Sequence, residues 1–129
     1  MFYFKIFIFI QWVSNDHSRA NWALRVHLSV LILDLLDEMD TVLPQGLSLC
    51  DVKPVHFGLS TNSGKMKFID LDVVYPKSIV NAFIADGASC HRNSDCHMFD
   101  CHSKCNFSSH ICDSPVTNNN LQVVCEKIF

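Results

Sequence analysis

The sequence predicts an α+β chain, mainly helical, with one short β-hairpin and a disulfide-rich C-terminal tail. Three observations carry this. Leu24, Leu28, Leu31, Leu35 and Met39 recur at threes and fours, the period of an amphipathic helix. Lys65 and Lys67 alternate with Met66 and Phe68 just after Ser60-Thr61-Asn62-Ser63-Gly64, which is strand periodicity behind hairpin-turn chemistry. Six cysteines, Cys90, Cys96, Cys101, Cys105, Cys112 and Cys125, crowd the C-terminal end while Cys50 stands apart.

The elements follow in order along the chain. Phe2 to Ile10 is apolar and aromatic but interrupted by Lys5. It is too short to span a bilayer, which takes about 20 apolar residues, and it lacks the basic start and small-residue cleavage site of a signal peptide. A buried strand or a non-native start is the simpler expectation for residues 1–20. From Asn21 to Asp40 the leucine stripe predicts a long helix, with Val30, Ile32, Leu33 and Leu36 widening its buried face and Trp12 and Trp22 anchoring its start. Pro44-Gln45-Gly46 ends it. Short strands are expected at Leu47–Cys50, Val55–Leu59 and Lys65–Val74, then a short apolar helix or strand over Ser78–Ala85. In the tail, Leu121, Val123, Val124, Ile128 and Phe129 predict a helix or strand that docks back on the rest.

The 129 residues fit one domain. A 49% hydrophobic and 18% charged composition supplies a core and argues against disorder. The net charge of −3 lacks the Lys/Arg excess that a nucleic-acid or anionic-membrane partner needs, so both partner classes are set aside.

An even set of six closely spaced cysteines reads as a disulfide framework built in an oxidising compartment. That reading assigns all six tail cysteines to bridges and leaves Cys50 as the odd thiol, a small buried hydrophobe or a residue pairing outside the cluster. Zinc is the competing reading, because His91, His97, His102 and His110 are interspersed with the cysteines. However, no C-x-x-C pair occurs and the spacings do not repeat, which favours disulfides. Asn106-Phe107-Ser108 is the chain's single glycosylation sequon and agrees with a luminal setting.

Three polar residues have the types that phosphoryl transfer requires. The reaction needs a carboxylate to orient the attacking hydroxyl, a cation on the phosphate and a carboxylate on the metal. Asp51, Lys53 and Asp70 supply them, on a tight loop and at the end of the following strand. Asp70-Leu71-Asp72 would also project two carboxylates from one face of an extended strand.

Leu49-Cys50-Asp51-Val52-Lys53-Pro54-Val55-His56-Phe57-Gly58-Leu59, followed by Asn62-Ser63-Gly64-Lys65-Met66-Lys67-Phe68-Ile69-Asp70-Leu71-Asp72, resembles a protein-kinase catalytic loop, its hairpin and its magnesium motif. The string from Lys67 to Lys77, and the tail from Asp95-Cys96 through Phe99-Asp100-Cys101 to Phe129, are similar to the divergent protein kinase domain 1 proteins. These are cysteine-rich kinase-like proteins of the endoplasmic reticulum, anchored as type II membrane proteins.

The resemblance implies a kinase-like C-lobe over residues 21–86 and a cysteine-rich tail over 87–129 packed on it. It implies Asp51 and Lys53 as catalytic residues and Asp70 as the metal ligand, with His56 and Asp72 at the nucleotide-binding positions. ATP and Mg²⁺ or Mn²⁺ are the implied cofactors. A luminal protein is the implied substrate or partner, and an anchor outside this chain would provide membrane attachment. His56 stands where the second metal-binding asparagine is expected, Cys50 replaces the usual arginine, and Asp72 takes the place of a glycine. Without a Gly-rich loop or a strand lysine, the chain reads as a C-terminal fragment that is inactive by itself. The alternatives are a pseudokinase or luminal interaction module without catalysis, and a small secreted cysteine-rich binding domain.

Overall fold

The computed structural model describes residues 3–5, 18–87, 89–113 and 115–129; the expectations for Trp12 and most of the apolar start lie outside them. The chain forms two compact units, Met1–Glu38 with Lys53–Leu71, and Met39–Val52 with Asp72–Phe129.

In the first unit, helix α1 (Arg19–Thr41, whose last residues count with the second unit) starts at Ser18. The Ser18 hydroxyl accepts from the Asn21 amide at 3.3 Å and its carbonyl from the Trp22 amide at 3.0 Å, satisfying two donors of the first turn. Of the leucine period, Leu28, Leu35 and Met39 are buried and Leu24 and Leu31 half-buried, and Ile32 and Leu36 of the expected widening are buried too. The expected widening fails at Val30 and Leu33, which are about half exposed, and Trp22 is 63% exposed and anchors nothing by burial. A helix of 3.6 residues per turn can turn only one stripe inward, however many apolar residues surround it.

The unit's antiparallel sheet runs in the order β1 (Tyr3–Lys5), β3 (Phe57–Ser60), β4 (Met66–Phe68). Tyr3 pairs with Ser60, and Phe57 and Leu59 pair with Phe68 and Met66. Gly64, in the left-handed region at φ +65°, lets the β3–β4 turn close. Fully buried Phe57 meets Phe68 edge to face, with centroids 5.2 Å apart. Only the part of Val55–Leu59 after His56 is strand, because Pro54 opens a 3₁₀ turn, Pro54–His56.

In the second unit, β2 (Leu47–Leu49) pairs antiparallel with β5 (Val74–Pro76), which leads directly into helix α2 (Lys77–Ile84). Two small hairpins follow, β6 (His97–Met98) with β7 (Cys101–His102) and β8 (Cys105–Asn106) with β9 (Ile111–Cys112). The closing helix α3 (Asn120–Ile128) is capped at Asn119, whose side chain accepts from the Gln122 amide. Its Val123 and Val124 are buried, whereas Leu121 and Phe129 are exposed. Val80, Ile84 and Met98 share the core with six of the seven cysteines.

The bridges are Cys50–Cys101, Cys90–Cys105 and Cys96–Cys112, and Cys125 is a free, exposed thiol on α3. The even-tail partition of the cysteines is therefore corrected at two positions: Cys50 belongs to the framework and Cys125 does not. Helix α3 sets Cys125 on its outer face while its neighbours Val123 and Val124 fill the core. The Cys50–Cys101 bridge ties the tail to the segment after β2 within the second unit.

Candidate functional site

Asp51 lies in the second unit, half-buried, between β2 and the end of that stretch at Val52. Its neighbours are held by the tail and by residue 73. The Cys50 amide donates to the Val73 carbonyl at 3.2 Å, and the Cys50 carbonyl accepts from the Asp100 amide at 2.8 Å. One carboxylate oxygen of Asp100 accepts from the Val52 amide at 2.7 Å; the other meets Lys127 Nζ at 3.1 Å. That ion pair, chiefly through its hydrogen bond, raises the Lys127 pKa, with a smaller contribution from Asp51. The bridge between Cys50 and Cys101 adds a covalent tie next to Asp51.

Preceding β2 is secured the same way. Asn120, only 3% exposed, accepts from the Leu49 amide at 2.9 Å and donates to the Leu47 carbonyl at 2.8 Å and to Asp40 at 3.3 Å. Asp72 is exposed in this unit, and its carbonyl accepts from the Tyr75 hydroxyl at 3.0 Å. The expectation of Asp70 and Asp72 on one strand face is corrected, since β4 stops at Phe68 and neither residue lies in a strand.

Lys53, His56 and Asp70 lie in the first unit. Exposed Lys53 precedes the 3₁₀ turn, and its carbonyl accepts from the His56 amide at 2.9 Å. The His56 carbonyl accepts from the Ile69 amide at 2.8 Å, which places Asp70 beside the imidazole. His56 Nε2 and Asp70 Oδ2 are 3.2 Å apart, and the ring packs edge-on to Phe68. The histidine side chain is 10% exposed and the aspartate 38%, so the imidazole is walled by protein while the carboxylate keeps an open side. The two residues that the sequence reading set at nucleotide and metal positions are thus brought together. The pairing follows from the register of the β3–β4 hairpin.

Two parts of the site escaped the sequence: the hold of Asp100 and Asn120 on the segment around Asp51, and the pairing of Cys50. A hydrogen bond across 48 residues leaves no periodic signal. The odd cysteine count shows only that one thiol is unpaired, not which. Cys90, Cys96, Cys105 and Cys112 have their sulfurs taken up in disulfides. The tail histidines form two ring pairs, His97 stacked on His102 at 3.9 Å and His91 against His110 at 5.1 Å. Burial, and then the neighbouring His102, lowers the pKa of His97.

A protein-family model described as "Protein-kinase domain of FAM69" matches residues 5–129. The chain belongs to that family. The FAM69 kinase domain thereby covers nearly the whole chain, in agreement with the resemblance carried by the Lys67–Lys77 string and the cysteine tail. No solved structure matches this FAM69 domain. Among the described residues no helix is long and apolar enough to cross a membrane.

Proposed function

We propose that this FAM69 domain is the kinase-like lobe of a secretory-pathway protein and contributes the residues of an ATP- and magnesium-dependent phosphoryl transfer to a luminal protein. The observation that carries the reading is the hairpin of the first unit, which joins Lys53 and His56 to Asp70 in the order of a kinase catalytic loop and metal motif. The family match supports it. The three disulfides support an oxidising compartment.

The donor set fits a hard cation in one respect and departs in another. Mg²⁺ is held by one or two carboxylates and completes its shell with phosphate and water, so Asp70 is a suitable ligand. Imidazole is a poor one, and His56 serves instead to fix the Asp70 carboxylate. Magnesium, when bound with ATP, neutralises charge on the transferred group. Within this scheme Asp51 orients the acceptor hydroxyl and takes its proton, and Lys53 places a cation on the phosphate.

The test is a thermal-shift and phosphotransfer measurement on a full-length relative carrying this lobe, secreted from eukaryotic cells, with and without MgATP. Expected are a nucleotide-dependent shift that Asp70→Ala removes and phosphotransfer that Asp51→Asn abolishes. A protein that neither binds nor is stabilised by nucleotide refutes the reading. The histidine beside Asp70 favours a second one, a pseudokinase that binds partners without catalysis. For that reading Asp70→Ala retains partner binding and cellular function.

A further inference from the structure

Residues 107–110 form the turn that joins β8 to β9, and Asn106 at its start is exposed. The Asn106 side-chain oxygen accepts from the backbone amides of Ser108 at 3.0 Å and Ser109 at 3.2 Å, an Asx turn. The Asn106 carbonyl accepts from the His110 amide at 2.7 Å, and His110 closes the turn at φ +56°. With the amide oxygen fixed on the backbone, the nitrogen on the other side of the amide carbon is carried away from it. Both strands are tied down by cystines, Cys105 to Cys90 and Cys112 to Cys96. The turn is therefore a rigid, outward-facing platform.

From this geometry we infer that Asn106 is a site of N-linked glycosylation, a modification that takes asparagine in the pattern Asn-x-Ser/Thr on surface loops of secreted proteins. The inference rests on the secretory-pathway reading above, which three disulfides support. Oligosaccharide is attached to the unfolded chain, so the fold must leave the acceptor outside. At Asn106 it does. In the transfer, Asn106 Nδ2 forms a bond to the anomeric carbon of an oligosaccharide carried on a polyisoprenyl diphosphate. The bond from that carbon to the diphosphate oxygen breaks, the lipid diphosphate leaves with the electron pair, and Nδ2 gives up one proton. Ser108 supplies the hydroxyl that the sequon requires.

A glycan here has a physical consequence. Phe107 is 60% exposed and Ile111, the cross-strand partner of Asn106, is 47% exposed. The sugar would cover an apolar pair that otherwise faces water.

The experiment expresses the full chain in mammalian cells behind a cleavable signal peptide. Its mobility is compared before and after peptide-N-glycosidase, which turns a glycosylated asparagine into aspartate, and position 106 is read by mass spectrometry. Expected is a single enzyme-sensitive shift, lost in Asn106→Gln and in Ser108→Ala and kept in Ser108→Thr and Ser109→Ala. A chain that is luminal, with cystines formed and protected from added protease, yet shows no shift overturns the glycosylation and leaves the secretory reading intact. A chain delivered to the lumen that shows no shift and whose framework cysteines stay reduced overturns both.

Discussion

Removing the Cys50–Cys101 bridge by Cys50→Ala with Cys101→Ala should cost this domain more stability than losing either of the other two cystines. The size of the effect follows from loop closure. The bridge spans a separation of 51 residues, against 15 and 16 for Cys90–Cys105 and Cys96–Cys112. Chain-entropy arguments give about 4 kcal/mol for the long loop and about 3 for each short one. Against a total of roughly 5–15 kcal/mol for an ordinary domain, the long bridge is a large share. The assay is urea unfolding of oxidised protein, followed by circular dichroism, with free thiols titrated in parallel. The unmodified protein should show one reactive thiol, Cys125. Cys125→Ser should abolish that signal with a stability change within about 0.5 kcal/mol, as for an ordinary surface substitution. Hydrogen exchange at the amides of position 50 and Val52 should rise in the double alanine variant, because the covalent tie beside them is gone. A loss below about 1 kcal/mol, or peptide mapping that finds Cys125 in a cystine, refutes the reasoning.

Gly46→Ala should destabilise by about 1–3 kcal/mol, read in the same unfolding assay, since residue 46 sits at φ +73° and a Cβ there would lie 2.7 Å from the Asp40 carbonyl oxygen. The stacked His97–His102 pair should make stability fall with acidity. The folded state holds the His97 pKa below the ordinary 6.5, so the unfolded chain binds the extra proton first. Stability is therefore complete above about pH 6.5 and declines as pH drops through the lowered folded value. A pH series of melting temperatures checks this, and His97→Gln should flatten the decline.

Much of the fold was legible in local pattern. The leucine period marked α1, the Lys65–Phe68 alternation behind Gly64 marked β4, and the apolar run over Ser78–Ala85 marked an element, left open between helix and strand, that is α2. Each is a signal that neighbouring residues carry together. What the pattern overstated was burial on α1, because Val30 and Leu33 look as apolar as Leu28 in one dimension. In the candidate site, the order Asp51, Lys53, His56, Asp70 was readable because the loop and the hairpin that follows it are contiguous in sequence.

The sequence by itself determined the family and the residue types at the candidate site, since these depend on identity and spacing. The tertiary structure alone decided which cysteine is odd, that His56 leans on Asp70, and that Asp100 and Asn120 hold the chain on either side of Asp51. These are pairings between residues brought together by folding. Buried amides must find acceptors and sulfurs must lie within bonding reach, wherever along the chain their partners fall.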